Sequence, residues 1–198
     1  MMRRAITTGV MTLGCVLGML APHVVAGAQG KPGEQPATLD IGRAATPAEI
    51  AAWDIDVGPD GVGLPPGKGS AADGARIYTA RCAACHGKSG REGPNDVLVA
   101  PAPPNGFPFS QTPKLPRAIG NYWPYATTLF DYIRRAMPPD APGSLNDDDV
   151  YALVAHLLAW NQIIAVDAVM DAAALPKIRM PARDRFVPDA RGTAKPKP

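Results

Sequence analysis

Apolar residues recur at helical spacing in three stretches of the chain, and these stretches predict three helices. The first covers about 71–81 and follows Ser70, a favourable N-cap. The second covers about 125–135, and the third follows a cap at Ser144 and ends near residue 160. The positions predicted to be buried in the second and third helices are Leu129, Phe130, Ile133, Val150, Leu153, Val154, Leu157 and Leu158.

Gly74 lies in the first predicted helix, on the same side as its apolar residues. A residue without a side chain allows two helices to cross closely, so we expect the first and third helices to meet at this point. Four ring-bearing residues are then expected to fill the space around the crossing: Tyr78, Tyr151, His156 and Trp160.

The segments outside the predicted helices lack periodicity and are rich in Pro and Gly. Residues 29–69 predict an extended arm, in which Trp53 and Ile55 are expected to contact the core. Residues 87–121 form a loop too long for a compact protein unless it wraps around something else. Residues 166–198 predict a C-terminal extension with a disordered end.

The N-terminus has the pattern of a secretory signal peptide. Arg3 and Arg4 are followed by a short apolar stretch and by small residues, and cleavage is expected near Ala28. Cys15 falls inside the segment that would be removed. The pattern therefore predicts export to the periplasm, with only two cysteines in the mature chain.

Composition excludes two classes of protein. Of 198 residues, 20 are Lys or Arg and 18 are Asp or Glu, so the basic excess that a nucleic-acid partner requires is missing. No apolar run reaches the roughly 18–20 residues that span a bilayer, so no membrane span is predicted. The length fits one domain with long extensions.

The chemistry of the chain is concentrated in a C-x-x-C-H motif formed by Cys82, Cys85 and His86. This is the attachment signature of c-type haem, in which two thiols bond to the porphyrin and the adjacent His binds the iron. A thioredoxin-type redox pair and a zinc site are the alternatives. The first seldom has His directly after the second Cys, and the second needs four ligands, although the chain offers only His23 and His156 besides.

A second axial ligand for the iron is expected further along the chain. Met137 is the preferred residue, because it follows a helix and precedes Pro138, which holds the chain extended. His156 lies within a helix, Met170 is in an apolar setting and Met180 lies in the terminal extension. Ligation by His and Met raises the reduction potential relative to two His ligands.

Other residues are expected around the haem. A carbonyl at Gly93-Pro94 could accept the Nδ1–H of His86 and fix the orientation of the ring, which places Pro94 among the cofactor-binding residues. Ordinary turns and surface contacts are the alternatives for all of these residues. Those considered for contact with the haem propionates are Trp123, Asn121, Arg117 and Arg134.

Residues 70–165 resemble the class I c-type cytochromes. The likeness rests on the capped first helix, the C-x-x-C-H motif, the Gly-Pro turn, a helix ending at Met137-Pro138 and an amphipathic last helix. The resemblance implies an all-α fold around one covalently bound haem c, with His86 and Met137 as the metal ligands.

Segments 53–65, 119–138 and 169–184 resemble the SoxD-type cytochrome subunit of bacterial sulfur oxidation. This resemblance implies a partner subunit of the sulfite-oxidase type that carries a molybdenum cofactor and oxidises sulfite or sulfane sulfur. The well-known members carry two haems, whereas this chain has one motif. Electrons are therefore expected to leave to a separate cytochrome c or an oxidase.

The leading hypothesis is a periplasmic cytochrome that transfers electrons within an oxidoreductase complex and is not catalytic alone. In that case the long terminal arms could wrap a partner. A freely diffusing electron shuttle is the second hypothesis, for which the arms should fold back on their own domain. A haem enzyme or gas sensor is the third, and it requires a labile iron ligand.

Overall fold

The structure is a computed structural model, and it divides the chain into two units, Met1–Ala44 and Ala45–Pro198. The residues it describes are 41–102, 106–110, 112 and 114–187. The predicted signal peptide with its cleavage point near Ala28, and the predicted disordered end, lie outside these residues. The described helices and strands all belong to the second unit.

Helices dominate the described residues, which confirms the all-α prediction. The helices are α1 (Pro47–Trp53), α2 (Ala71–Arg81), α3 (Ala83–His86), α4 (Ala126–Ala136) and α5 (Asp147–Trp160). Two short strands, β1 (Lys68–Ser70) and β2 (Val169–Asp171), pair antiparallel, and 3-10 turns cover Pro108–Ser110, Leu175–Lys177 and Arg183–Arg185. None of the described helices is long and apolar enough to cross a membrane.

The three helices predicted from periodicity are confirmed as α2, α4 and α5. Ser70 caps α2 as predicted, because its side chain accepts a hydrogen bond from the Asp73 N–H. The predicted cap of α5 at Ser144 is wrong. Asn146 Oδ1 accepts the Asp149 N–H at 2.8 Å, whereas the Ser144 hydroxyl accepts a hydrogen bond from Arg81 at 2.7 Å.

Helix α5 forms the centre of the core, and all eight positions predicted to be buried in α4 and α5 are buried. Helix α2 crosses α5 at Gly74, as expected. A Cβ atom at Gly74 would lie 1.9 Å from the Ala152 carbonyl oxygen and 2.7 Å from the His156 Cβ. The absence of a side chain at this position therefore sets how closely the two helices approach.

Three of the four ring-bearing residues surround the crossing as predicted. The Tyr78 ring lies 5.0 Å from Trp160 and 5.6 Å from His156, and His156 lies 4.7 Å from Trp160. The prediction for Tyr151 is wrong. Its ring packs against Phe130 of α4 at 4.5 Å, because it lies on the opposite side of α5.

The expectation that Trp53 and Ile55 contact the core is also wrong. The exposed fractions of their side chains are 87% and 43%, respectively. Val57 is buried instead, and its N–H donates to the Asp131 carboxylate of α4 at 2.9 Å. The apolar residue that anchors this segment therefore comes two positions later than predicted.

Side chains of the central helices bind the backbone of the residues after Val57. The Thr127 hydroxyl donates to the Pro59 carbonyl at 3.1 Å, and the Tyr151 hydroxyl donates to the Pro65 carbonyl at 2.8 Å. A Pro- and Gly-rich segment without periodicity is thus ordered by hydrogen bonds to α4 and α5.

The two strands join the segment before α2 to the segment after α5. Gly69 of β1 pairs with Met170 of β2, and a Cβ atom at Gly69 would lie 2.2 Å from the Ala152 N. Leu175 and Met180, which come after β2, are buried. Strands β1 and β2 therefore pack on the central helix α5, and the turn Leu175–Lys177 packs on α4.

Helix α1 was not predicted from the sequence. It begins with a complete capping box, in which Thr46 and Glu49 each accept a backbone hydrogen bond from the other residue. No residue of α1 is buried, and the side chains of Ile50 and Trp53 are exposed. Helix α1 is therefore stabilised by its N-terminal cap and not by packing of one face against the core.

Candidate functional site

The C-x-x-C-H motif lies at the end of α2 and in the short helix α3. The Cys82 N–H donates to the Tyr78 carbonyl at 2.9 Å, and the Tyr78 hydroxyl donates to the Gly87 carbonyl at 2.8 Å. Burial is the main cause that raises the pKa of Tyr78 to about 12, so its hydroxyl remains a donor at neutral pH. Tyr78 thereby holds both ends of the motif against α2.

The two cysteines are free thiols in the structure. Burial raises the pKa of the Cys82 thiol to about 11, so this thiol is protonated at neutral pH. A redox pair needs a reactive thiolate, which this environment does not favour. Zinc is not favoured either, because the described part of the chain contains no group of three or more His, Cys, Asp or Glu that could hold a metal ion.

His86 has a defined orientation and tautomer. Its Nδ1 lies 2.8 Å from the Asp96 carbonyl oxygen. A carbonyl can only accept a hydrogen bond, so Nδ1 carries a proton, and in the neutral ring the lone pair is then on Nε2. This is the form of imidazole that binds a metal through Nε2.

The carbonyl that orients His86 belongs to Asp96, which corrects the prediction of Gly93-Pro94. Gly93 packs directly against the motif, since a Cβ atom there would lie 2.2 Å from the Cys85 carbonyl oxygen. The Asn95 N–H then donates to that same carbonyl at 3.0 Å. This close approach of the backbone brings the Asp96 carbonyl to Nδ1.

Met137 lies at the C-cap of α4, where its N–H donates to the Ile133 carbonyl at 3.1 Å. Its backbone is extended, with φ −120° and ψ 144°, as expected for a residue before Pro138. The helix therefore ends at the methionine, and the following proline prevents the helix from continuing past it.

His86 and Met137 line the same cavity, which has a volume of about 820 Å³. The rest of its described lining comes from residues 94–97 and 115–117, in two parts of the long loop. Pro94 is among these lining residues. The donor set fits haem c: two thiols with the required spacing, an imidazole held through Nδ1, and a methionine that lines the same cavity.

The other residues considered as iron ligands lie elsewhere and do not line this cavity. His156 is packed between the Tyr78 and Trp160 rings, and burial lowers its pKa. Met170 and Met180 are buried in the core formed with the C-terminal segment. His156, Met170 and Met180 therefore have packing roles, which are the alternative to iron ligation.

Arg134, which was considered for contact with a haem propionate, is not among the residues that line the cavity. Its Nε lies 3.0 Å from the Asp147 carboxylate, and its Nη1 donates to the Ile55 carbonyl at 3.2 Å. The side chain therefore joins α4 to the start of α5 and to the N-terminal segment. A sequence pattern does not reveal that an acidic residue 13 positions later binds this arginine.

Two further residues predicted around the haem have structural roles, and one is at the cavity. Trp123 does not line the cavity, and its ring contacts that of Tyr132 at 5.8 Å. Asn121 is buried and closes a turn by accepting the Ala118 N–H at 2.8 Å. Arg117 does line the cavity.

Asn161, at the end of α5, is a positioning residue that the sequence did not reveal. Its Oδ1 accepts the N–H groups of Ala100 and Gly120, and its Nδ2 donates to the Leu98 carbonyl. One side chain thus ties both parts of the long loop to the core. The sequence shows only that a polar residue follows the third predicted helix, and this signal does not specify such distant partners.

A family model and a solved structure match this chain. The family model described as cytochrome c oxidase, cbb3-type, subunit III matches residues 69–157. The crystal structure of the sulfane dehydrogenase SoxCD from Paracoccus pantotrophus matches with 38% identity and a TM-score of 0.66. That match covers 80% of this chain and 76% of the other. No curated protein is significantly similar to the chain.

The chain belongs to the c-type cytochromes. Because the identity to the SoxCD chain is high over most of its length, this cytochrome is SoxD-like. Its family membership implies haem c and a role in electron transfer. The C-x-x-C-H motif and the cavity beside it therefore form the centre of the functional site.

Proposed function

We propose that this cytochrome is exported, carries one haem c and transfers electrons as a subunit of a molybdenum-dependent dehydrogenase for sulfite or sulfane sulfur. The shared cavity of His86 and Met137 carries this proposal. Cys82 and Cys85 attach the haem, and the chain is not catalytic alone. The single C-x-x-C-H motif and the signal-peptide pattern support the haem count and the location.

In this proposal His86 and Met137 would hold the iron of the haem. The haem would supply a one-electron couple between ferric and ferrous iron, and the protein would supply the ligands and the cavity that they line. The Asp96 carbonyl fixes the His86 ring through Nδ1, which leaves Nε2 to hold the metal. With both ligands in place, electron transfer would be favoured over chemistry at the iron.

Met137→Ala tests the ligand assignment. We expect the ferric protein to lose its sulfur-to-iron absorption band and its reduction potential to fall by a sizeable part of the roughly 0.8 V range that axial ligands control. Redox titration with visible spectra measures both changes. Met180→Leu is the matched control, because Met180 is buried away from the cavity.

A wild-type protein that binds carbon monoxide readily, or a Met137→Ala protein with an unchanged spectrum, would contradict this assignment. The first result would favour a haem enzyme or a gas sensor with a labile ligand over an electron carrier, and the second would show that Met137 is not a ligand of the iron.

The segment around α1 supports docking to a partner subunit. Ile50 and Trp53 are exposed by 55% and 87%, and Val62 is exposed by 72%. Residues 44–67 contain four acidic residues and no Lys or Arg. Exposed apolar side chains with a one-sign charged rim are typical of a protein interface, where Trp often contributes most of the binding energy.

Association with a sulfite-oxidase-type molybdenum subunit from the same source tests the complex. We expect the two chains to co-purify, and we expect Trp53→Ala to weaken association at least tenfold in a binding titration. Val166→Ala is the control, because Val166 is similarly exposed at 79% but lies far along the chain from α1. Failure of the wild-type chains to associate would reject the complex.

A freely diffusing electron carrier is the second candidate. It is favoured by the way residues 57–70 and 168–182 pack on their own helices, because those segments are then not available to wrap a partner. A monomer that reduces a cytochrome c or an oxidase without any associated subunit would support this candidate.

A further inference from the structure

Four aromatic rings form a cluster next to the cavity, and the proposed function does not use them. The cluster consists of Phe107, Phe109, Tyr122 and Phe186. The Tyr122 ring centroid lies 5.6 Å from Phe107, 4.9 Å from Phe109 and 5.4 Å from Phe186. Phe186 comes from the C-terminal segment, so this segment completes the enclosure of Tyr122.

Tyr122 holds a charged residue of the cavity lining. The Arg117 guanidinium lies over the Tyr122 ring, 5.2 Å from its centroid, which is within the range of a cation–π interaction. Arg117 also lines the cavity. The ring therefore restricts where the positive charge of Arg117 can lie relative to the cavity.

Within the described part of the chain, no side chain neutralises the charge of Arg117. Arginines that pair with carboxylates there include Arg76, Arg134, Arg135 and Arg179. Among the described residues, no carboxylate forms an ion pair with Arg117. Its positive charge is thus available to whatever occupies the cavity.

We propose that the C-terminal segment sets the reduction potential of the haem through Phe186, Tyr122 and Arg117. Reduction adds one electron to the haem, so a nearby positive charge stabilises the reduced form and raises the potential. Arg117 supplies that charge, and Tyr122 and Phe186 are positioning residues that keep it at the cavity. This inference rests on the proposed haem-binding function.

Arg117→Gln removes the charge while keeping a polar side chain of similar reach. We expect the equilibrium between the cytochrome and a reference couple to shift about tenfold towards the oxidised haem, which is about 59 mV for one electron. Arg117→Lys keeps the charge, so most of the wild-type potential should remain. Redox titration of the purified holoprotein measures the shift, and a haem assay and visible spectrum show that both ligands are retained.

Arg183→Gln is the matched control. Arg183 lies over Tyr125 at 5.0 Å, in the same C-terminal segment, but it does not line the cavity. We expect its removal to change the equilibrium by less than twofold. An equal shift in both variants would show that any arginine of this region acts through the overall charge, and would overturn the proposal.

Phe186→Ala tests the positioning step. Phe186 is 41% exposed, so the fold should tolerate its removal. We expect a shift of about threefold in the same direction as Arg117→Gln, and no further shift when the two substitutions are combined. A combined shift equal to the product of the single shifts, or no shift in either single variant, would reject the proposal.

The controls separate this inference from the proposed function. Wild-type protein without covalent haem would reject the proposed function. Haem-loaded protein with an unchanged potential in Arg117→Gln would reject only the inference.

Discussion

The double variant Cys82→Ser, Cys85→Ser is expected to lose all covalently attached haem. In the proposed site each thiol forms one bond to the porphyrin, and without both bonds only the proposed ligands His86 and Met137 would hold the cofactor. The measurement is haem-stained gel electrophoresis of denatured protein, in which only covalent haem remains on the chain. Each single variant should keep one bond and give a weaker band.

The cysteine that precedes the motif provides a matched control. Cys15 lies in the predicted signal peptide, so Cys15→Ser should leave the haem content of the exported protein unchanged. Covalent haem persisting in the double variant would contradict the attachment through Cys82 and Cys85.

Gly74→Ala is expected to destabilise the protein by about 3 kcal/mol or more. At an ordinary helix position, replacing Gly with Ala stabilises by roughly 0.5–1 kcal/mol. Here the added Cβ would lie 1.9 Å from the Ala152 carbonyl oxygen, which belongs to the backbone of the central helix. Helices α2 and α5 would have to separate, and overpacking of this kind typically costs about 1–3 kcal/mol or more.

Denaturant unfolding of the holoprotein, followed by circular dichroism, measures the change in the free energy of unfolding. Ala80→Gly on the exposed side of α2 sets the scale, because it should cost only the helix propensity of about 1 kcal/mol. If Gly74→Ala were as stable as wild type or more stable, the close crossing of α2 and α5 would be wrong.

Periodicity and local motifs predicted the core of this cytochrome. The buried positions of α4 and α5, the Ser70 cap and the crossing at Gly74 all depend on residues close together in sequence. The cap of α5 shows the limit of this approach. Ser144 and Asn146 are both good capping residues, and only the contact of Ser144 with Arg81, 63 positions away, decides between them.

Contacts between distant segments could not be predicted. The three-residue strands β1 and β2 are separated by almost one hundred residues and are too short to show a period.

Helix α1 was not predicted for another reason. Its capping box of Thr46 and Glu49 was visible in the sequence, but the surrounding Pro and Gly residues favoured an extended arm.

In the functional site, as in the fold, local features could be predicted and contacts between distant segments could not. Spacing and the neighbouring proline predict the motif residues and Met137 as site residues, whereas the contacts that support them could not be predicted. Asp96 rather than Gly93-Pro94 orients His86, because the backbone approaches the motif closely at Gly93. Arg117 rather than Arg134 reaches the cavity, because Arg134 is bound by Asp147.

The pairing of β1 with β2 has a practical consequence for protein engineering. Residues 69–157 match the family model, but a module cut to these limits would lose β2 together with Leu175 and Met180. Grafting this electron carrier onto an electrode or into a fusion enzyme therefore requires both flanking segments. The smallest transferable piece extends from the anchor at Val57 to the last aromatic residue, Phe186.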